Sequence, residues 1–441
     1  MTTTPMPAFP TGFRWGVSTS AYQIEGAATA DGRGPSIWDT FAHTPGRIAD
    51  HSTADVACDH YHRHREDVAL MAGLGISAYR FSIAWPRVQP RGTGAANPAG
   101  LDFYDRLVDD LLAAGIDPVA TLFHWDLPQP LEETGGWLNR DTADRFAEYA
   151  DLTAARLGDR VKLWITLNEP FVHLSLGHAT GVHAPGRFLL LDAFPVAHHQ
   201  LLGHGLAVSA LRARSTSPVA IANNYSPVVR YGDTDADRAA ALAYDALHNR
   251  LFTDPLLGQG YPPGFDPAVV RDGDLDVIAA PIDVLGVNYY NPTGVRAPEQ
   301  DSPLPFEVVP LDGYPRTAFD WPVVPDGLRD LLVGLRDRYL DALPEIQITE
   351  SGCAYDDAPD ADGRVHDPER IAYLDGHLRA VRAAIDEGVD VTGYFVWSLL
   401  DNWEWAEGFT KRFGLVHVDF DSQVRTPKSS YAWYRDQIVR R

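Results

Sequence analysis

Eight short apolar runs, each followed at its carboxyl end by polar or aromatic residues, constrain this chain more than any other feature. They cover residues 13–18, 78–83, 118–123, 162–167, 219–222, 284–287, 346–349 and 392–396. Near-continuous apolar stretches of this length read as strands buried on both faces, as in a parallel sheet covered by helices. Longer patterns of helical period lie between them. One covers 103–114, from Asp102 to Gly115, and another covers 142–157, after Asp141 and before Gly158. Residues 193–214 carry apolar side chains at helical spacing, and 368–387 opens on Pro368 and closes at Gly388. Eight strands alternating with helices, without a break in composition, predict an α/β fold. The expectation is a single (β/α)8 TIM barrel with extended βα loops, one catalytic domain over residues 1–441. The Pro-rich stretch 291–325 is expected to be a long inserted loop, serving as a lid or pocket wall.

The ends of the runs share a chemistry. Arg80 and Trp85 lie at or beyond the second, His124 and Trp125 follow the third, and Asn168 and Glu169 the fourth. Asn223 and Asn224 follow the fifth, Asn288 and Tyr290 the sixth, Glu350 the seventh, and Trp397 and Ser398 the eighth. Functional groups gather at the carboxyl end of the strands, the face where barrel enzymes carry their chemistry. Two of these groups are glutamates placed directly after apolar runs, where a bare carboxylate is costly to bury without a purpose. Glu169 and Glu350 end the fourth and seventh strands, so a closed barrel sets them facing each other across its mouth. Two carboxyl groups flanking one bond are what glycosidic cleavage requires, one to protonate the leaving oxygen and one to attack the anomeric carbon or activate water.

The remaining composition narrows the partners. A formal net charge of −23 repels nucleic acid and anionic membranes and favours solubility. Eleven tryptophans exceed the needs of a core and leave some for stacking surfaces. Cys58 and Cys353 are the two cysteines, so no disulfide framework or cysteine-based zinc pattern is expected, and Cys353 reads as a buried packing thiol. His60, His62 and His64 crowd one helical stretch and His198 adjoins His199 on another; neither group forms a His-Glu-x-x-His pattern, and no metal is expected. Residues 1–10 lack a basic stretch followed by an apolar run, and no apolar run approaches the roughly 20 residues that span a bilayer. A cytoplasmic protein without a cofactor, acting on a small molecule, is the expectation. Oligomeric state is open.

The segment FRWGVSTSAYQIEG at 13–26 resembles the amino-terminal signature of glycoside hydrolase family 1, the β-glucosidase family. Also similar to that family are YRFSIAW at 79–85, FHWDLP at 123–128, TLNEP at 166–170, GVNYY at 286–290 and ITESG at 348–352. WSLLDNWEW at 397–405 and KRFG at 411–414 complete the set, in family order along the whole chain. The resemblance implies a retaining β-glucosidase of the (β/α)8 class. It implies that Glu350 is the nucleophile and Glu169 the general acid/base, with Arg80 and Tyr290 supporting the nucleophile. The substrate-binding positions it implies are Gln23, His124, Trp125, Asn168, Asn288, Tyr290, Trp397, Glu404, Trp405 and Phe413. Asn168 resembles the residue that binds the sugar 2-hydroxyl, and Trp397 and Trp405 the stacking and hydrogen-bonding indoles. At one position the chain departs from the family: Ser351 stands where Asn usually follows the nucleophile, and it keeps a hydrogen-bonding side chain. Two alternatives remain in view, a 6-phospho-β-glucosidase, which Glu404 opposes, and a non-catalytic sugar-binding barrel, which the presence of both glutamates opposes.

Overall fold

The computed structural model describes residues 5–265, 268–300 and 302–439, so residues 1–4 of the amino-terminal stretch and residue 301 of the insertion lie outside it. Eight parallel strands form a closed barrel. They are β1 (Arg14–Ser18), β2 (Ala78–Ser82), β3 (Asp117–Phe123), β4 (Leu163–Asn168), β5 (Val219–Tyr225), β6 (Val284–Tyr289), β7 (Glu345–Ser351) and β8 (Val391–Trp397). Sequence neighbours are barrel neighbours, and β8 closes the ring on β1, with Arg14 opposite Gly393 and Ser18 opposite Trp397. In the connections that follow the strands run α1 (His60–Leu74), α2 (Pro98–Ala113), α3 (Asp141–Leu157), α4 (Phe194–Arg212), α5 (Asp235–Asp245), α6 (Pro325–Tyr339), α7 (Pro368–Asp386) and α8 (Ser429–Val439).

The strands are apolar on both faces because both are covered. Ala78, Val119, Leu163, Ile165, Ala220, Ala222, Val284 and Phe395 form one buried cluster inside the barrel. Three of the eight are alanines, and the Phe395 ring occupies space beside Gly16 that any side chain there would need. The opposite faces, with Tyr79, Phe81 and Trp164 among them, join the large core beneath the helices. The expected fold is therefore the observed one.

Each of the eight runs is a strand, and the differences lie at their ends. β5, β6 and β7 continue two or three residues past the apolar stretch, through Asn224, Asn288 and Glu350. Backbone pairing continues there while the side chains of Asn224, Asn288 and Glu350 find polar partners inside the barrel mouth. Helix α2 starts at Pro98 with Asn97 before it, not after Asp102. Proline at the first helical position sets the start, and Asp102 is an exposed carboxylate within the helix that pairs with Arg156. The stretch 291–325 is not a bare loop: Thr293–Arg296 and Glu307–Val309 pair with each other, and the former also with Val228–Arg230. Its final part, with Phe319 and Trp321, walls a pocket.

Candidate active site

At the carboxyl end of the barrel lies a cavity of about 430 Å³. Glu169 and Glu350 both line it, with Trp397, Glu404, Trp405 and Phe413 on one side and Asn224 and His248 on another. Glu350 is 3% exposed and Glu169 5%, so each carboxyl must be neutral or well partnered.

The two glutamates are held differently. Arg80 on β2 donates from Nη1 to Glu350 Oε1 at 2.6 Å, and the Tyr290 hydroxyl donates to Glu350 Oε2 at 2.8 Å. One carboxylate oxygen thus meets a full positive charge and the other a phenol. Among the described residues no cation contacts Glu169; its Oε1 accepts from Asn288 Nδ2 at 2.9 Å and from Asn224 Nδ2 at 3.0 Å. Burial, followed by the charge of Glu350, pushes the Glu169 carboxyl up to about 8, against the pull of the two amides. Burial also raises Glu350, but Arg80 and then Tyr290 act in the opposite direction. The second guanidinium nitrogen of Arg80 donates to Asn168 Oδ1 at 2.6 Å, and Asn288 Nδ2 reaches the same oxygen at 3.0 Å. Arg80, Asn168 and Asn288 therefore tie the two carboxylates into one assembly. Thr349 fixes Asn288 by donating to its Oδ1 at 2.6 Å, so the face of that amide is not free to turn.

A polar and aromatic shell surrounds the pair. Burial keeps His124 neutral, well below its ordinary value, and its Nε2 accepts from Asn168 Nδ2 at 3.0 Å. The other ring nitrogen carries the hydrogen and has no partner among the described residues. The imidazole stacks between Trp397 and Trp405, with both centroids 5.8 Å away. Gln23 accepts from Ser20 and donates from Nε2 to Asn402, to the Trp403 carbonyl and to Glu404 Oε2 at 3.1 Å. Glu404 is pushed up to about 8, by burial first and by the charge of Glu350 second. Trp125 donates from its indole to the Asn168 carbonyl at 2.9 Å. Phe413 packs with Trp397, Tyr290, Phe319 and Trp321. Trp125, Glu169 and Trp405 all hold left-handed backbone conformations (φ 75°, 44° and 51°), which side-chain-bearing residues adopt only where the surroundings enforce it.

All the site residues expected from the sequence thus meet in one place. Arg80, Gln23, Asn168 and Asn288 are wholly buried and act beneath the lining, holding the groups that face the cavity. Ser351 is buried with its hydroxyl 3.4 Å from that of Tyr373. Asn224, His248, His183, Phe319 and Trp321 also line the cavity and were not among the expected residues. The Asn-Asn pair after the fifth run was a signal for Asn224; nothing in local spacing pointed to His248. The suspected histidine groups are otherwise engaged: His60 with Asp67, His64 with Asp110, His198 with Asp274 and Tyr261, and His199 with the Trp137 carbonyl. Cys353 is fully buried, with burial raising its thiol. Among the described residues, no helix is long and apolar enough to cross a membrane.

Fold and site together define a (β/α)8 barrel of the two-carboxylate class, built round a pocket of aromatic and amide groups suited to a polyhydroxylated ligand. The chain belongs to glycosyl hydrolase family 1, whose model matches residues 6–441. It is 51% identical over 443 residues to thermostable β-glucosidase B of Thermobispora bispora, covering 98% of this chain and 91% of that one. It is 45% identical over 439 residues to β-glucosidase A of Thermotoga maritima, covering 98% and 97%. Among solved structures, the family 1 β-glucosidase from Thermotoga maritima superposes with a TM-score of 0.94 at 45% identity, covering 98% of both chains.

Proposed function

We propose that this protein is a retaining β-glucosidase that removes terminal β-D-glucosyl residues from short oligosaccharides and aryl or alkyl glucosides. The supporting observation is the asymmetry of the carboxylate pair: Glu350 is clamped by Arg80 and Tyr290, whereas Glu169, among the described residues, accepts from the amides of Asn224 and Asn288. Glu350 is thereby the member that carries charge and attacks the anomeric carbon. Glu169, raised to about 8, holds a proton near neutrality and gives it to the departing oxygen. Once Glu350 is esterified by the sugar its charge is gone, and the second-largest cause holding the Glu169 proton disappears with it. Glu169 then takes a proton from water, which attacks from the side the leaving group left. Two displacements restore the starting configuration.

The shell supports a neutral sugar. Trp397 and Trp405 offer apolar faces, while His124 and Glu404, the latter held by Gln23, offer directional groups for hydroxyls. A cavity of about 430 Å³, and not an open groove, favours the end of a chain over its middle. A phosphorylated sugar is opposed, since Glu169, Glu350, Glu404 and Glu407 face the cavity and no Arg or Lys lines it among the described residues. The proposal includes a cytoplasmic setting in which short β-glucans such as cellulose fragments are consumed.

Two variants test the roles. Glu350→Ala should abolish hydrolysis, and added small anions should restore cleavage of an aryl β-glucoside with inverted configuration; recovery with retention overturns the assignment. Glu169→Gln should slow substrates with poor leaving groups far more than activated aryl glucosides, because only the former need the proton. Equal losses on both would remove Glu169 from the acid role.

A further inference from the structure

The leaving group of a β-glucoside departs on the side of Glu169, because that carboxyl protonates the oxygen that leaves. Val172 and Leu176 follow Glu169 in the chain, one helical turn apart, and both line the cavity. Val182 lines it too and is 52% exposed, so it stands where the cavity opens to solvent. The segment after it folds back on the same turn: the Arg187 and Leu189 amides donate to the Gly177 and His178 carbonyls, both at 3.0 Å. Gly181 lies so near the Arg187 carbonyl that a Cβ there would stand 2.8 Å from its oxygen. Phe188 is thereby brought beside Val182. It is 71% exposed, and Leu190 and Leu191 after it are about half exposed.

An apolar strip therefore starts beside the acid, passes the mouth of the cavity and continues on the surface. Large apolar side chains left in water are unfavourable, and a contiguous run of them joined to a binding site marks a surface for a ligand. Leu190 also holds a left-handed backbone (φ 50°), which a bulky side chain adopts only where its surroundings enforce it. The segment is anchored from another side, where Arg187 Nε donates to Glu132 at 2.7 Å, so these side chains are presented from a held loop. The opposite flank of the cavity is polar, but its groups are engaged with one another. Asn224 Oδ1 lies 2.8 Å from His248 Nε2, and Ser226 Oγ lies 2.6 Å from Thr293 Oγ1. The flank left uncovered is the apolar one. All but one of its side chains are aliphatic, and a flexible hydrocarbon can follow their turn from cavity to surface where a rigid planar ring cannot.

We propose that the strip from Val172 and Leu176 past Val182 to Phe188 is a subsite for the alkyl tail of a glucoside's leaving group. The substrate class it names is the long-chain alkyl β-glucoside, with its sugar in the cavity and its tail along the strip. The proposal rests on the glucosidase reading above, in which Glu169 faces the leaving group. Full burial of one methylene is worth about a fourfold gain in affinity, and a chain lying against a half-exposed strip gains roughly twofold. Tail contacts kept in the transition state appear as a rise in kcat/KM.

The test is kcat/KM for methyl, butyl, hexyl and octyl β-glucosides, each kept below its micelle concentration, in wild type, Val182→Thr and Phe188→Ser. Ratios between substrates are taken within each protein, so differences in the amount of active enzyme cancel. Both side chains are largely exposed, so the variants should fold. In wild type kcat/KM should rise roughly 10- to 20-fold from butyl to octyl, about twofold for each of the added methylenes. Phe188→Ser, at the outer end of the strip, should flatten the step from hexyl to octyl. Val182→Thr, which keeps the side-chain shape but makes it polar, should flatten the rise from butyl onward. Failure to hydrolyse methyl and aryl β-glucosides alike would sink the glucosidase reading itself. Hydrolysis with no rise from butyl to octyl, or a rise that both variants keep, overturns the tail subsite and leaves that reading intact. So does size-exclusion chromatography in which wild type runs as a dimer and Phe188→Ser as a monomer, since a second copy would then cover the strip.

Discussion

Glu169→Gln should make the protein more stable at alkaline pH while crippling it as an enzyme. The sign follows from linkage. The folded-state value of about 8 lies above the ordinary 4.5, so the native chain binds the proton more tightly than the unfolded one. The stabilisation is fully present below pH 4.5 and is lost as pH rises through 8. Between pH 5 and 8 the loss accrues at about 1.36 kcal/mol per unit, or roughly 4 kcal/mol in all. Glutamine is close in shape, keeps an oxygen to accept from Asn288 and Asn224, and does not titrate. Unfolding entropies of about 2.1 cal/mol/K per residue, applied to 441 residues, make 1 kcal/mol worth about 1 °C in Tm. Differential scanning calorimetry of both proteins at pH 5 and pH 8.5 is the assay. The variant should sit within about 1 °C of wild type at pH 5 and about 3–4 °C above it at pH 8.5. A Tm difference that is the same at both pH values would refute the reasoning, since the Glu169 proton would then not be coupled to folding.

Other substitutions probe neighbouring parts. Tyr290→Phe removes one of the two donors to Glu350; kcat should fall about 10- to 100-fold, and the acid limb of the pH profile should move up because the ionised nucleophile is less favoured. Lys428→Met leaves Asp357 and Asp401 without the buried ammonium that contacts them at 2.7 and 2.8 Å; a loss of about 3–5 kcal/mol is expected, read as a lowered Tm, with a raised KM because Asp401 also holds Arg412 and the Gly414 amide beside Phe413. Gly352→Ala sets a methyl 1.8 Å from the Trp397 carbonyl oxygen, so the loop after Glu350 must shift; activity should fall more steeply than thermal stability.

The barrel was legible because its strands are buried on both faces, which makes each an apolar run with a sharp end. The catalytic pair was legible for the same reason: Glu169 and Glu350 break such runs. What escaped was whatever depends on side chains meeting from distant elements. His248 sits beyond α5 with no spacing rule linking it to β5, and only the folded chain puts its Nε2 beside Asn224. The insertion 291–325 looked irregular because its strands are three or four residues long, too short for any alternation to register. The start of α2 was misplaced because Asp102 is as good a capping residue type as Asn97, and Pro98 decided between them.

The barrel closes by joining its first strand to its last. Residues 14–18 are made long before residues 391–397, yet the backbone groups on one of their flanks find partners only in that later strand. Until that strand is made the nascent polypeptide therefore carries an open seam. Trp397 ends that last strand, and Glu404, Trp405 and Phe413, which with it seal one side of the cavity, are made after it. A product truncated before residue 397 can hold both glutamates and still lack a cavity wall, so this architecture ties hydrolytic competence to synthesis of the eighth strand and the segment that follows it.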